Sequence, residues 1–327
     1  MKPNVLITRL LPQEALRLVS KYCRAEVNRR DVRYSKNQLI RRLKGKTGMI
    51  CLLTDTIDGE VLGSNPDLKV VSNVAVGVDN IDVKTATSLG IMVTNTPGVL
   101  TETTADFAWA LLMATARRLV EGDRFVRAGK WKEWMLMEFL GHDVQGKTLG
   151  ICGLGRIGGA VARRAQGFKM RLLYTQRHRN EAAEKELNAT YADKMTLLRE
   201  SDFVVLLLPL TPETHHYIGR KEIKAMKRTA ILVNAARGPI VDEKALVEAL
   251  KARRIAGAGL DVFEREPKVD RGLLGLPNVV LAPHIASASM ETRTRMACMA
   301  AENCVAAVTG RRPPNLVNPE VLDRWGT

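Results

Sequence analysis

The stretch KTLGICGLGRIGGAVARRA, Lys147–Ala165, constrains the fold more than any other part of the chain. An apolar run suited to a strand leads directly into Gly153-x-Gly155-x-x-Gly158, and a helix-forming run follows. Each glycine answers a separate need: Gly153 for a tight turn, Gly155 for close backbone approach to a pyrophosphate, Gly158 for packing helix against strand. A helix that starts there turns free N–H groups and a partial positive charge toward phosphate. Alone, the triplet describes only a tight βα turn. With a strand before it and a helix after it, it points to a dinucleotide-binding unit.

The rest of the chain has the matching rhythm. Short β-rich runs at Asn4–Ile7, Gly48–Leu53, Leu68–Val74 and Ile91–Thr94 alternate with helical stretches. A second series follows at Thr148–Cys152, Arg171–Thr175, Phe203–Leu208, Ala230–Ala235, Ala256–Val262 and Val279–Pro283. Strand–helix alternation of this kind predicts α/β architecture with doubly wound parallel sheets. Between the two series, Pro97 and Gly98 punctuate. Thr103-x-x-Asp106 then reads as a capping box before a long apolar helix, one that bridges domains or packs on a second subunit. Another long helix is expected from about Met290 to Val308, returning to the first domain. The chain therefore divides into residues 1–97 plus 286–327, a smaller discontinuous domain, and 98–285, the dinucleotide-binding domain.

A length of 327 residues suits two such domains. No apolar run approaches the length of a membrane span, and the N-terminal MKPNVLITRLLPQEA lacks the pattern of a signal peptide. The chain reads as cytoplasmic. Five cysteines, an odd number with no C-x-x-C pair, indicate buried reduced thiols; neither a disulfide framework nor a metal site is indicated. The net charge of +15 is dispersed over arginine pairs, and aromatics make up only 5% of residues. That pattern describes a solvated basic surface and argues against a nucleic-acid partner.

In open α/β sheets, ligands bind beyond the carboxyl ends of the strands. Three of those ends carry chemistry here: AILVNAARG brings Arg237, LDVFEREP brings acids, and VVLAPHIAS brings His284. A guanidinium can hold a carboxylate by two parallel hydrogen bonds. An imidazole exchanges a proton near neutrality, and a carboxylate partner would favour its protonated form and fix its tautomer. Taken singly, each has an ordinary structural explanation. Taken with the glycine turn, the three form a catalytic kit.

These residues, with NVAVGVDNID (Asn73–Asp82), TTADFAWALL (Thr103–Leu112), GLGRIG (Gly153–Gly158), LVNAARGPIVDEKAL (Leu232–Leu246), GAGLDVFEREP (Gly257–Pro267) and APHIAS (Ala282–Ser287), resemble the D-isomer-specific 2-hydroxyacid dehydrogenase family. The likeness runs essentially the whole chain and is strongest to the glyoxylate/hydroxypyruvate reductases. It implies that Arg237 clamps the substrate carboxylate, that His284 protonates the carbonyl oxygen as hydride arrives, and that Glu266 supports the histidine. It implies substrate contacts from the N–H groups of Val76 and Gly77, from Leu53 in the pocket wall, and from Trp134 of a partner subunit in a homodimer. For the cofactor it implies a pyrophosphate cradle at Leu154, Gly155, Arg156 and Ile157. Thr104, Ala235, Ala236, Asp261 and Ala286 would stand on the nicotinamide side. A small 2-oxoacid is the expected substrate. A dinucleotide-sensing corepressor-like binding protein and a phosphoglycerate dehydrogenase-like enzyme are the alternatives.

One stretch departs from the usual pattern. After the second strand of a dinucleotide fold, an acid normally binds the ribose 2′-hydroxyl, whereas arginine accommodates a 2′-phosphate. Here Gln176 stands about where the acid is expected, and Arg177, His178 and Arg179 follow. The reading is a preference for NADPH, with NADH also usable.

Overall fold

The computed structural model describes residues 1–324, and the chain parts into two compact units. Unit 1 comprises Met1–Leu100 and the segment from Ala288 onward; unit 2 is Thr101–Ser287. The sequence reading placed the crossings at 97/98 and 285/286, a few residues earlier in each case.

Unit 1 begins with β1 (Asn4–Ile7), α1 (Gln13–Tyr22), β2 (Arg24–Val27), α2 (Lys36–Leu43) and β3 (Gly48–Cys51). It continues with α3 (Gly59–Gly63), β4 (Val70–Asn73), α4 (Val83–Ser88) and β5 (Met92–Thr94). The strands form one parallel sheet in the order β2-β1-β3-β4-β5, the flavodoxin-like doubly wound order. Alternate residues serve opposite faces of a strand. Val5, Ile7, Ile50, Val70 and Met92 accordingly fill one layer of core, and Leu6, Met49, Val71 and Val93 fill the other.

Unit 2 opens with α5 (Thr101–Ala116) and α6 (Leu119–Arg127), followed by β6 (Thr148–Cys152), α7 (Arg156–Gly167) and β7 (Arg171–Thr175). Next come α8 (Glu181–Leu187), β8 (Ala189–Tyr191), α9 (Lys194–Glu200), β9 (Phe203–Leu206) and α10 (Arg220–Ala225). The series closes with β10 (Ile231–Asn234), α11 (Glu243–Lys251), β11 (Gly257–Leu260), α12 (Arg271–Leu274) and β12 (Val279–Leu281). The strands lie parallel in the order β12-β11-β10-β9-β6-β7-β8. Counted from β6, this is the dinucleotide-fold order, its direction of winding reversing between β6 and β9. With both faces covered, the central strands are continuous apolar runs such as FVVL and ILVN.

Helix α13 (Met290–Val308), capped by Ser289 Oγ accepting from Thr292 N–H, belongs to unit 1. It packs on α1, β3, β4 and β5. Ser72 Oγ donates to the Ala300 carbonyl at 2.7 Å, and Asn303 Nδ2 donates to the Asn95 carbonyl at 3.0 Å.

Two expectations need correction. Helix α5 begins at Thr101, so Thr103 lies inside it and is not its N-cap. The edge strands β2 and β8 were not foreseen, because RAEV and ATY carry no apolar run. All five cysteines are free; Cys23, Cys51, Cys152 and Cys304 are buried and Cys298 is partly so. Among the described residues, no helix is long and apolar enough to cross a membrane.

Candidate active site

The glycine turn joins β6 to α7. Gly153 has φ +99°, which strains any residue with a side chain, and its N–H donates to the Thr175 carbonyl at 2.9 Å. A Cβ on Gly158 would stand 2.2 Å from the Gly153 carbonyl oxygen, so only glycine lets the helix lie this close to the turn. Gly155 is the N-cap of α7 and has no side chain to cap with; nothing lies within 4 Å of where its Cβ would be. The N–H groups of the first helical turn have no partners within the helix, and Gly155 and Arg156 at its start are exposed. The Leu154 N–H, by contrast, is already held by Gln176 Oε1 at 3.0 Å. An open, glycine-floored helix start is a fit for a dinucleotide pyrophosphate.

The loop after β7 is tied down at several points. Gln176 Nε2 donates to the His178 carbonyl at 2.7 Å while its Oε1 holds the glycine turn. Arg179 donates through Nε and Nη2 to the two oxygens of Glu184, at 2.7 and 2.8 Å. Tyr174 donates its hydroxyl proton to Glu184 at 2.5 Å and accepts the Asn180 N–H at 2.8 Å. Arg177 and His178 are exposed at the loop's tip.

The catalytic candidates meet at the ends of β10, β11 and β12. Asn234 ends β10; its Oδ1 accepts the Ala236 N–H and its Nδ2 donates to the Arg237 carbonyl, shaping the turn through Ala235 and Ala236. Arg237, half-buried, donates from Nη1 to the Ala236 carbonyl. A Cβ on Gly238 would fall 1.9 Å from the carbonyl carbon and oxygen of Phe263. Glycine there is what lets the Arg237 turn lie against the segment that carries Glu266. Glu266 Oε1 accepts the Phe263 N–H at 3.0 Å, and Oε2 pairs with His284 Nδ1 at 2.8 Å. Burial alone would raise the Glu266 pKa. The His284 hydrogen bond and charge, the Phe263 N–H and the charge of Arg237 bring it below the usual glutamate value. Glu266 is thus a carboxylate at neutral pH, placed to accept a hydrogen bond from an Nδ1–H of His284.

His284 has φ +54°. Its N–H donates to the Asp261 carbonyl at 2.8 Å, and the N–H groups of Ile285 and Ala286 donate to the two Asp261 carboxylate oxygens at 2.7 and 2.8 Å. Asp261 is fully buried, and burial pushes its pKa up against those two bonds. Sequence reasoning gave Asp261 only a cofactor contact; the structure shows it also holding the histidine loop in shape. Thr104 lies buried in the first turn of α5, which packs beneath β10, β11 and β12.

Within unit 1, Leu53 is half-buried just past β3, and Val76 and Gly77 form a turn past β4. The Ala75 carbonyl accepts the Thr96 N–H at 2.8 Å, and the Val76 carbonyl accepts from Asn95 Nδ2 at 2.8 Å. In a trans peptide the N–H points opposite to the preceding carbonyl. The N–H groups of Val76 and Gly77 are therefore turned away from those anchors. Asn73, Asn80 and the fully buried Asp55 brace this turn and the loop after β3, a network no local pattern announced. Trp134, in unit 2, is 75% exposed, among a run that includes exposed Trp131, Leu136, Met137 and Leu140.

Comparison with known proteins agrees with this geometry. Residues 109–286 match the family model described as D-isomer specific 2-hydroxyacid dehydrogenase, NAD binding domain. The chain is 58% identical to a glyoxylate reductase of Korarchaeum cryptofilum over 324 residues, 98% of each chain. It is 53% identical to a glyoxylate reductase of Aeropyrum pernix over 326 residues, covering 98% of this chain and 97% of that one. Among solved structures, an NADPH-dependent glyoxylate/hydroxypyruvate reductase of Sinorhizobium meliloti, in complex with NADP and malonate, superposes with a TM-score of 0.87. That match has 33% identity over 98% of both chains.

Proposed function

Since the chain belongs to the D-isomer-specific 2-hydroxyacid dehydrogenase family, we propose that it reduces a small 2-oxoacid, glyoxylate or hydroxypyruvate, to the D-2-hydroxyacid. The observation that carries this is the 2.8 Å His284–Glu266 pair beside Arg237, at the strand ends of a sheet whose glycine turn fits a dinucleotide. Held at the glycine turn Gly153–Gly158, a nicotinamide dinucleotide would supply the hydride for the substrate carbonyl carbon, its own ring being oxidised in return. Arg237 holds the substrate carboxylate through paired N–H groups and sets the carbonyl in line. As the carbonyl π bond breaks, the oxygen takes a proton from Nε2 of the His284 imidazolium. The ring is left neutral with its Nδ1–H still on Glu266. A positioned acid of this kind is worth roughly 10²–10⁴ in rate.

We assign the N–H groups of Val76 and Gly77 to the substrate carboxylate and Leu53 to the pocket wall, as the family likeness implies. Gly155, Arg156 and Ile157 are assigned to the pyrophosphate, and Thr104, Ala235, Ala236, Asp261 and Ala286 to the nicotinamide side. The loop Gln176–Arg179 has no acid to repel a 2′-phosphate, so NADPH is the preferred cofactor and NADH a poorer one. The exposed apolar run around Trp134 supports a homodimer in which that side chain is covered by, or contributed to, a second copy. Sizing by light scattering at micromolar concentration should give twice the 36.2 kDa of one chain; a clean active monomer removes the dimer.

Initial rates with a panel of oxoacids, followed at the nicotinamide absorbance, test the reading. Glyoxylate and hydroxypyruvate should lead, and NADPH should exceed NADH by at least about tenfold in kcat/KM, a difference of only ~1.4 kcal/mol. Absence of turnover with every oxoacid would remove the activity, and equal use of the two cofactors would remove the preference.

A further inference from the structure

Two arginines stand in the loop after β7, and the structure treats them differently. Arg179 has its Nε and Nη2 on Glu184, whose side chain keeps only 13% of its exposure. The Tyr174 hydroxyl shares the same carboxylate, and its oxygen also takes the N–H of Asn180, the N-cap of α8. The loop's other end is pinned by Gln176 to the Leu154 N–H and the His178 carbonyl. Between these anchors, Arg177 is exposed; its side chain has no hydrogen bond or close ion pair among the described residues, and an acid that feels its charge is Glu213, past β9, whose carboxyl it helps hold below the usual value.

We infer that the two arginines have unequal roles toward a 2′-phosphate. Arg177 is its ligand, and Arg179 is a positioning residue, locked by Glu184 and Tyr174 so that the loop presents Arg177. This rests on the NADPH reading above and assigns its discrimination to one side chain and one lock. The chemistry is asymmetric. A phosphate at Arg179 would have to share a guanidinium with a carboxylate of its own sign, whereas at Arg177 it meets five unclaimed donors. The bonds from Arg179 and Tyr174 hold the Glu184 pKa down to about 2, so the lock is charged at any pH used for assay. Fixing the loop in advance leaves less freedom to be lost when the phosphate arrives.

The test measures binding of adenosine 2′,5′-bisphosphate and of 5′-AMP by calorimetry, and KM and kcat for NADPH and NADH. The variants are R177A, R179A, E184Q and Y174F, each of the last three also combined with R177A. R177A should weaken the bisphosphate at least about tenfold, the scale of a lost charge-assisted contact, and leave 5′-AMP unchanged. R179A, E184Q and Y174F should each weaken the bisphosphate by a few fold when Arg177 is present. In the R177A background they should add nothing, the coupling expected of residues that act through one another. For all of them KM for NADPH should rise by a larger factor than KM for NADH. Tighter bisphosphate binding in E184Q, or a further loss from R179A in the R177A background, would make Arg179 a ligand in its own right and overturn the proposal. Equal losses for NADPH and NADH would reduce the lock to general stability and overturn it too. If the unmutated protein binds the bisphosphate no better than 5′-AMP, the NADPH reading itself falls, whatever the variants do.

Discussion

His284 holds a backbone conformation, φ +54°, that costs a residue with a side chain on the order of 1–3 kcal/mol. Asp261 secures it through three hydrogen bonds, so the ring's direction is set by main chain as much as by Glu266. Replacing His284 by alanine should lower kcat by roughly 10²–10⁴ while leaving cofactor affinity nearly unchanged; stopped-flow reduction with saturating NADPH would show it, and turnover near that of the unmutated protein would dismiss the assignment. Glu266→Gln should act on rate. An amide offers the ring no counter-charge and no fixed carboxylate acceptor, so kcat for reduction should fall by about tenfold or more while KM for NADPH stays near its value. An unchanged kcat would separate Glu266 from the proton step. The meeting of Arg237, Glu266 and His284 at neighbouring strand ends was legible in the sequence because each follows a strand in a short local pattern, ARG, FEREP and PHIAS. The Tyr174–Glu184–Arg179 lock and the second duty of Asp261 were not. They depend on which loops the sheet brings side by side, and no spacing along the chain encodes that.

Elements differ in how plainly they announce themselves. The central strands β6, β9 and β10 are covered on both faces and read as apolar runs, whereas β2 and β8 lie at sheet edges with polar, half-exposed residues. Their pairing is supplied by a neighbour already in place. The helices were read most accurately where a cap and an apolar period coincide, as in α13; α5 began before its apparent capping box because no side chain's preference outweighs continuation of a helix that packs well. Tight turns are the other determinant at this scale. Gly238 sits where a single methyl group would enter the Phe263 carbonyl, and neither partner is a side chain that can swing aside. Gly238→Ala should therefore cost at least about 2 kcal/mol, toward the upper part of the range for overpacking. Denaturant unfolding would measure it. Because the methyl also pushes Arg237 off its place, kcat/KM for the oxoacid should fall even in molecules that remain folded. A stability within about 0.5 kcal/mol of the unmutated protein, the scatter of neutral surface changes, would mean the turn relaxes freely.

At the scale of the whole molecule, charge and topology each have a consequence. Glu26, Asp58, Glu102, Glu184, Asp202, Glu222 and Glu266 all have pKa values below their usual ones, mostly because a cation or N–H group favours the ionised form. Carboxylates with depressed folded values add stability above the unfolded values, about 3.9–4.3, and lose it as pH falls through the folded ones. Asp261, whose value is raised, works weakly in the opposite direction. The chain also begins from a formal charge of +15, so each proton taken up adds to self-repulsion. Tm by scanning calorimetry should fall steeply between about pH 5 and pH 3, with partial recovery in added salt; a flat profile over that window would contradict both arguments. The topology bears on synthesis. A ribosome delivers this molecule in the wrong order for its first unit. The residues of β1 to β5 emerge first, but Met296, Ala300, Ala301 and Cys304 of α13, which cover one face of their sheet, emerge near the end. All of unit 2 is made in between, an interval of roughly ten to forty seconds at about 5–20 residues per second. Unit 2 is contiguous and can close while still attached. The nascent N-terminal third, with one apolar layer of its sheet still uncovered, is the part of the newborn chain most exposed to wrong contacts.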